Sequence, residues 1–338
     1  MKLFKYGFTA LLFAGAFVFW GFFHPEILFF HEFYQMFLTG WDYFFERVVL
    51  PGGLADYFGE FLTQFYCITL LGASLIALLY AGVQLVVYKI FKIFGVNEKF
   101  YPLTFLPSLA LWALMCSENL LLCFPVAVFL NLLLFVLAEK FPKTVVFGCV
   151  SVFLLILSYW LTGPAAEIAA LLLALKNFKE NKIFSVITAV VLFVAAWVAS
   201  RIVCYPVASS FVGIDYLRYP FRNLSYLMMF GLCPVLPYAL SFVKKDFSLK
   251  KSYAAAFSLA VLTPVVLPKC FNDTAWQTIR MYSYIYNSQW DEAVEFYDKY
   301  RTGNSYSVQS LNLALAEKGL LTERMFLLLP AGNTCYSE

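Results

Sequence analysis

The sequence is poor in charge: aspartate, glutamate, lysine and arginine together make up only 13% of its 338 residues. Hydrophobic residues make up 62% and aromatic residues 20%, and the mean hydropathy is +0.75. A soluble domain of this length does not need so much apolar material for its core. The composition therefore argues against a soluble globular protein and indicates an integral membrane protein.

The motifs of the common soluble enzymes are also missing. The chain has no phosphate-binding glycine loop, no dinucleotide fingerprint, no nucleophile elbow and no paired zinc motif. It has no basic stripe of the kind that binds nucleic acid, so nucleic acid is not expected as a partner. Most of the 8 cysteines lie in or beside apolar runs and act as small hydrophobic residues. Only Cys204, Cys270 and Cys335 stand where an oxidising compartment could pair them.

Apolar runs long enough to cross a bilayer, which takes roughly 20 residues, recur along residues 1–271. They predict an all-α transmembrane bundle of about nine helices, near residues 5–23, 61–88, 102–116, 119–138, 144–161, 164–176, 183–200, 224–243 and 252–268. Large aromatic residues fill the place where a signal peptide would be cleaved, so the first helix is predicted to remain as an anchor. The short sixth run, which carries Glu167, could be a half-helix.

Lysines mark every second connection between these runs. The connections predicted to face the cytoplasm hold fourteen lysines and four acids. The opposite connections hold only a few basic residues before the tail, mainly arginine. Because lysine and arginine accumulate on the cytoplasmic side, this alternation predicts an inner-membrane protein with a cytoplasmic N-terminus and an extracytoplasmic tail. The lysines are Lys2, Lys5, Lys89, Lys92, Lys99, Lys140, Lys143, Lys176, Lys179, Lys182, Lys244, Lys245, Lys250 and Lys251.

Two outer connections are long, and long connections in compact helical proteins tend to carry function. Residues 24–60 alternate acids with aromatic residues, and residues 202–223 combine tyrosines with Asp215, Arg218 and Arg222. Aromatic rings settle at the membrane surface, so both segments are predicted to lie along the outer interface.

Residues 272–338 have the composition of a soluble helical region. Tyr284, Ala293 and Tyr297 have the spacing that a tetratricopeptide repeat needs for an aromatic residue, a small residue at the helix crossing and a second aromatic residue. A further helix pair follows in the segments 311–319 and 320–329. Since about three repeats make a self-standing solenoid, the tail is predicted to dock on the membrane domain, to pair with a partner, or to be a truncated beginning.

Candidate functional residues lie on the outer side. His24, Glu26, His31 and Glu32 could build a metal site, although interfacial polar residues facing water are the favoured interpretation. Glu32 and Asp42 of the first loop, together with Glu118 in the next outer turn, could act as a general base or bind a divalent cation. Ordinary solvated charges that mark the ends of spans are the favoured interpretation.

Three outer arginines and one acid within an apolar run complete the candidates. Arg201, Arg218 and Arg222 could hold a lipid-linked phosphate, because the guanidinium fork binds phosphate bidentately; pairing with Asp215 and lipid headgroups is the alternative. Glu167 could be a pathway residue, since ionisable groups within the membrane are costly and often functional, or a surface residue at the outer end of its helix.

The chain resembles an uncharacterised bacterial family of polytopic membrane proteins with a tetratricopeptide-like C-terminal region. The resemblance covers most of the chain and rests on Leu50–Tyr57 (LPGGLADY) and Leu311–Ala316 (LNLALA). It implies the architecture but no activity. Members of that kind carry a longer soluble tail, so the resemblance implies that this tail is short.

In layout the chain is also similar to the GT-C membrane glycosyltransferases. That resemblance implies carboxylates in the first outer loop and the next outer turn, and basic outer residues that hold a lipid-linked sugar phosphate. Here Glu32 or Asp42, Glu118 and the three arginines occupy those places, but no paired-aspartate motif is present. Fold-level similarity is an analogy and assigns no activity by itself.

Three hypotheses about function follow. The first is a scaffold in the cell envelope that recruits a protein partner through its tail. The second is a lipid-linked sugar transferase in which Glu32 deprotonates the acceptor or binds a metal, Glu118 assists and the arginines hold the leaving phosphate. The third is a transporter or flippase that uses Glu167 and the proline-kinked helices.

Overall fold

A computed structural model describes residues 2–141, 145–178, 181–204, 206–213, 216–219, 224–243, 249–301 and 304–328. These residues form almost only helices, as predicted, with one isolated β-bridge between Leu120 and Leu217. The α-helices are α1 (Lys2–Val18), α2 (Pro25–Tyr34), α3 (Trp41–Val48), α4 (Gly53–Thr63), α5 (Thr69–Ile93), α6 (Leu106–Met115), α7 (Cys123–Ala138), α8 (Val145–Thr162), α9 (Ala166–Asn177), α10 (Lys182–Ile202), α11 (Val207–Val212), α12 (Met228–Ser241), α13 (Leu249–Val266), α14 (Asp273–Tyr286), α15 (Trp290–Tyr300), α16 (Ser305–Glu317) and α17 (Leu321–Leu328).

Five helical stretches within the described residues are long and apolar enough to cross a membrane. Two further apolar helical stretches are shorter, Cys123–Ala138 and Ser225–Ser241. Five stretches of the described residues therefore have the length and composition that crossing a membrane requires. The five are Tyr6–Phe23, Thr69–Ile93, Gly148–Asn177, Lys182–Ile202 and Lys250–Cys270.

Two predicted spans differ from the observed helices. The run 61–88 is divided, because α4 ends at Thr63 and α5 begins only at Thr69. The run 102–116 consists of a 3₁₀ segment, Glu98–Phe105, followed by the ten-residue α6. Pro102 and Pro107 each lack the backbone N–H that a regular helix needs, which accounts for the irregular start.

The stretch Gly148–Asn177 turns back on itself. A Cβ built on Gly148, near the start of α8, would lie 3.8 Å from the ring of Phe184, near the start of α10. Ser185, the next residue of α10, donates a hydrogen bond of 2.8 Å to the carbonyl of Ala174, near the end of α9. The start of α8 and the end of α9 therefore lie at the same level. The chain reverses at Gly163, whose φ of +70° suits a residue without a Cβ.

Contacts gather the lysine-bearing connections at one end of the bundle, which we call the lysine end. The ammonium of Lys176, at the end of α9, donates 2.6 Å to the carbonyl of Ile93, at the end of α5. The ring of Phe94 lies 6.0 Å from that of Phe135, near the end of α7, and 6.4 Å from that of Tyr238, near the end of α12.

The long connections meet at the other end, which we call the loop end. The Gly52 N–H donates 2.9 Å to the carbonyl of Trp160 at the end of α8. The Tyr216 hydroxyl donates to the carbonyl of Thr162 and accepts from the N–H of Ala165 at 3.0 Å. The LPGG segment that carried the family resemblance is thus packed against the α8–α9 reversal, where a Cβ on Gly52 would lie 3.6 Å from Gly163.

The tail helices α14 to α17 form a second, smaller core. Its fully buried members include Met281 of α14, Ala293 of α15 and Ala314 of α16. Trp276 and Ile279, in the first half of α14, pack instead against the larger core formed by the preceding helices. The helix α14 therefore belongs to both cores and connects them. Of the three cysteines that could have paired, Cys204 and Cys270 are free, and Cys335 lies outside the described residues.

Candidate functional site

A buried carboxylate joins the first outer loop to the tail. Glu26 lies in the first turn of α2, and its side chain is 0% exposed. Its oxygens accept hydrogen bonds from Arg280 at 2.5 Å and from Trp276 at 2.8 Å, both on α14. The imidazole of His24 lies 3.1 Å away as a further hydrogen-bond partner. We call these four residues the docking group.

The charge on Glu26 is stabilised by its partners. Burial by itself raises the pKa of the Glu26 carboxyl, but the hydrogen bond with His24 and the positive charge of Arg280 outweigh it, so its pKa lies below the ordinary value. Rings extend the same contact, since Phe29 of α2 lies 4.5 Å from Tyr286 of α14. A carboxylate that is ionised, enclosed and fully hydrogen-bonded holds structure together and is poorly placed to take a proton from a substrate.

A second acid–arginine group lies within the first loop itself, and we call it the loop group. Arg47 of α3 donates 2.6 Å to Glu60 of α4 and lies 3.5 Å from Asp56 one turn earlier. Tyr43 accepts from Arg47 at 2.9 Å and donates to the other oxygen of Glu60. Burial and the hydrogen bond to Glu60 raise the pKa of Tyr43 to about 12. These contacts fix α3 against α4.

The third group surrounds Arg218. Its guanidinium carbon lies 4.3 Å from the ring centre of Tyr34 and 4.9 Å from that of Phe30, both on α2, and 5.0 Å from that of Tyr219. Its backbone N–H donates 2.7 Å to the carbonyl of Asn119. Cation–π contacts of this kind hold a guanidinium in place without using its N–H groups.

His31 belongs to the same surroundings. It is only 2% exposed, and it lies on α2 between Phe30 and Tyr34. Burial lowers the pKa of His31 to about 4, and the positive charge of Arg218 contributes in the same direction. The imidazole is therefore neutral at physiological pH, and Arg218 carries the positive charge of the group.

The predicted carboxylates are distributed over different places. The turn that carries Glu118 lies beside Arg218. The Asn119 backbone carbonyl accepts from the Arg218 backbone N–H, and the Asn119 side-chain amide donates 3.2 Å to Glu118. Glu32 is two residues from both Phe30 and Tyr34, about 200° around the helix, so it lies on the face of α2 opposite to Arg218. Asp42 is exposed in the first turn of α3. Within the described part of the chain, no hydrogen bond or ion pair joins Glu32 or Asp42 to Glu118.

The remaining predicted residues are also apart from one another. Arg201 is exposed at the end of α10, with its guanidinium 5.7 Å from the ring centre of Trp197. Arg222 lies outside the described residues. Glu167 occupies the first turn of α9, directly after the reversal at Gly163–Ala165. Among the predicted arginines and the acids Glu32, Asp42, Glu118 and Glu167, contacts within the described residues bring together only Arg218 and the Glu118 turn.

A metal centre finds no support in the described ranges. They contain no group of three or more histidine, cysteine, aspartate or glutamate side chains that could hold an ion. His24 and Glu26, two members of the predicted group, belong to the docking group, whereas His31 faces the surroundings of Arg218 and Glu32 lies on another face of α2.

Sequence reasoning missed the partners of the acids in the docking group and in the loop group. Arg280 and Trp276 lie in the tail, 254 and 250 residues from Glu26, and Tyr43 is one of the many aromatic residues of the segment 24–60. One signal was present: Trp276 and Arg280 are four residues apart and therefore share a face of α14.

The side chains of Trp276 and Arg280 also line a mixed aromatic and charged groove of about 360 Å³. The other lining residues are Tyr284, Glu292, Glu295, Phe296, Lys299, Tyr300 and Phe23.

Comparison with known proteins places the chain in a family. No curated protein matches it, and no solved structure matches it. A family model described as a family of unknown function, DUF6057, matches residues 1–334. The chain therefore belongs to the DUF6057 family.

Proposed function

We propose that this protein is a membrane-anchored scaffold of the cell envelope, in which a bundle of nine spans carries a tetratricopeptide-like tail that recruits a protein partner. The single observation that supports this most is the docking group. Glu26, which is fully buried, uses its charge and both oxygens to hold α14. A buried charge that fixes the tail is useful to a protein whose tail needs a defined orientation.

The orientation follows from the distribution of charge. The lysine end corresponds to the cytoplasmic side by the positive-inside rule, which leaves the loop end and the tail on the extracytoplasmic side. The α8–α9 reversal supports nine spans, because it divides one of the five long apolar stretches into two antiparallel helices. The division between residues 1–271 and the tail that begins at residue 272 would then fall at the start of α14.

The groove on the tail is the proposed partner site. It combines Trp276, Phe296 and Tyr300, whose rings lie 4.6 to 5.9 Å apart, with acids and a lysine at its rim. Aromatic anchors surrounded by charged residues are typical of protein-binding surfaces. The docking group borders this groove, so that partner binding and tail docking share Trp276 and Arg280.

Site-specific photo-crosslinking in cells tests the scaffold function. A photoreactive side chain replaces Lys299 in the groove or, as the matched control, Asn287 in the exposed turn between α14 and α15. The scaffold predicts a discrete protein adduct from position 299 and none from position 287, and it predicts that the adduct disappears when Arg280→Gln loosens the tail. Adducts at both positions alike, or at neither, contradict it.

A lipid-linked sugar transferase is the second candidate, and one observation favours it. The hydrogen bond between Arg218 and Asn119 brings an arginine beside the Glu118 turn. In that function Glu118 is the carboxylate nearest to the bound phosphate, because Glu32 lies on the opposite face of α2. Glu118→Gln and Arg218→Gln would then each abolish sugar transfer, whereas the scaffold predicts that both variants still give the adduct at position 299.

A further inference from the structure

Three polar atoms near Arg218 are buried and have no hydrogen-bond partner in the part of the chain that the structure describes. They are Nε of Arg218, Nε2 of His31 and Oδ1 of Asn119. Buried polar atoms in folded proteins nearly always have a partner. Three such atoms in one neighbourhood therefore point to a ligand with its own donors and acceptors.

The three residues are neighbours through contacts that are independent of a ligand. The Arg218 backbone N–H donates to the Asn119 backbone carbonyl at 2.7 Å. The Arg218 guanidinium rests on Phe30 and Tyr34, which lie on α2 directly before His31 and one turn after it. His31 is itself buried, at 2% exposure.

We propose that Arg218, His31 and Asn119 bind a phosphate ester that carries a free hydroxyl group, of the kind found in a phosphoglycerol headgroup. Arg218 Nε–H donates to an anionic phosphate oxygen, which is a charge-assisted bond. Asn119 Oδ1 accepts from the hydroxyl. Nε2 of His31, on a neutral imidazole, forms a third hydrogen bond with the ligand.

The hydroxyl is required by the orientation of the Asn119 amide. Its Nδ2 donates 3.2 Å to Glu118 Oε1, which assigns the free atom as the oxygen, an acceptor. An ionised phosphate diester offers only acceptors, so it would satisfy Arg218 and leave Asn119 without a partner. Arg218 balances one negative charge, and the neighbouring Glu118 carboxylate disfavours any further negative charge on the ligand. A phosphodiester meets this condition because it carries a single negative charge.

The source of the ester follows from the position of the site. Phe30, Tyr34 and Tyr219 surround Arg218 at the loop end of the bundle, and aromatic rings concentrate at the depth of lipid headgroups. A membrane phospholipid is therefore the expected source, and a soluble glycerol phosphate is the alternative. The inference concerns binding alone and does not depend on the scaffold function.

Calorimetric titration of the full chain in detergent tests the site. The probes are dioctanoyl phosphatidylglycerol, dioctanoyl phosphatidic acid, glycerol 3-phosphate and uncharged dioctanoylglycerol. The wild type is expected to bind phosphatidylglycerol most tightly. Arg218→Gln should weaken that binding at least about tenfold, because a hydrogen bond to a charged group is lost. The matched control Arg201→Gln, which changes an outer arginine stacked on Trp197, should change it less than about twofold.

Asn119→Leu tests the hydroxyl contact separately. This variant should remove the preference for phosphatidylglycerol over phosphatidic acid while leaving phosphatidic acid binding within about threefold of the wild type. Arg218→Lys, which keeps the charge and the packing stem, should bind more weakly than the wild type because it lacks the fork. Melting temperatures of the ligand-free variants show whether each one folds, and Arg218→Lys replaces Arg218→Gln if the latter does not.

Four results would overturn the inference. They are equal binding of dioctanoylglycerol, no binding of any phosphate ester, unchanged binding by both Arg218 variants, and an equal loss of binding in Arg201→Gln. Binding of glycerol 3-phosphate as tight as that of phosphatidylglycerol would support the ester chemistry and overturn the lipid as its source.

Discussion

The two acid–arginine groups at the loop end use the same chemistry on very different scales. The docking group pairs Glu26 with an arginine 254 residues away in sequence. The loop group pairs Glu60 with Arg47, 13 residues away. The first connects two cores, and the second fixes two adjacent helices within one loop.

The comparison shows what buried charge contributes in this chain. Taking a carboxylate out of water costs several kcal/mol unless a cation and hydrogen bonds accompany it. Glu26, Asp56 and Glu60 each have an arginine, whereas Glu32 and Asp42 remain near water and have no ion pair within the described residues. Burial therefore separates acids that maintain the architecture from acids that are free to meet a substrate or solvent.

The largest effect is expected from removing the arginine of the docking group. Arg280→Gln leaves the fully buried Glu26 without its cation and should weaken tail docking by about 3 kcal/mol. Hydrogen exchange should accelerate across α14 and leave α3 and α4 unchanged. Equal acceleration in α3 would show that the two groups are coupled, and protection of α14 as in the wild type would show that Glu26 does not hold the tail.

A smaller and local effect is expected in the loop group. Arg47→Gln leaves Asp56 and Glu60 facing one another one helical turn apart, but both side chains retain some exposure, 12% and 7%. The expected cost is about 2 kcal/mol, seen as faster exchange in α3 with α14 still protected. Arg47→Lys is the matched control and should lose less, since a point charge still separates the two acids. Loss of α14 protection in Arg47→Gln would contradict the local role.

Removing the acid of the docking group should cost less than removing the arginine. In Glu26→Gln the single amide oxygen can still accept from Trp276, and Arg280, at 29% exposure, can reach water. The expected weakening of docking is about 1 kcal/mol. The order of the two variants is the informative quantity: if Glu26→Gln is the more damaging variant in thermal melts and α14 exchange, desolvation of the unpaired Glu26 charge does not control docking.

The pH dependence sharpens the same contrast. The pKa of Glu26 is lowered on folding, so its contribution to docking is complete above its ordinary value of 4.5 and is lost as the pH falls through the folded value. Exchange in α14 should therefore rise below pH 4.5 in the wild type and change little in Glu26→Gln. The pKa of His31 falls from 6.5 to about 4 on folding. As the pH falls from 6.5 toward 4, the unfolded chain binds a proton that the folded chain does not, so global stability decreases. His31→Phe removes this contribution.

The smallest effects are expected at the acids near water. Glu32→Gln and Asp42→Asn should each change the free energy of unfolding by less than about 0.5 kcal/mol, because they leave no buried partner unpaired. Thermal melts check this. A loss larger than about 1 kcal/mol in either variant would mean that its carboxylate has a structural partner like that of Glu26.

Much of the fold could be predicted because long apolar runs follow simple rules of helix length. Apolar length gives the helices, and the alternation of lysine predicts two ends that the contacts also separate, as Lys176 and Ile93 illustrate. The composition of residues 272–338 predicts a helical tail, and α14 to α17 lie there. The tetratricopeptide repeat stays a prediction; two of the residues on which it rests, Ala293 and Tyr297, are buried in the tail core. Prolines explain one of the two spans that differ in detail, since Pro102 and Pro107 interrupt a run that hydropathy treats as uniform.

The candidate site was less predictable, and α2 shows why. Apolar residues surround most of this helix, so hydrophobic periodicity does not say which face is buried. Its helical phase decides that Glu26 meets the tail and that Glu32 lies opposite Arg218. That phase is set by partners more than 180 residues away, such as Arg218 and Arg280. Local sequence patterns carry no information about such pairings.

Thiol cross-linking of Phe29→Cys with Tyr286→Cys in intact cells tests the central claim most directly. The two rings are 4.5 Å apart across the docked tail. We expect a short, membrane-impermeant cross-linker to join these positions, with the joined peptides identified by mass spectrometry, and to leave the control pair Phe29→Cys with Asn287→Cys largely unjoined. A cross-link that forms only after the cells are opened would place the tail in the cytoplasm, and no cross-link under either condition would show that the tail is not docked through Glu26 and Arg280.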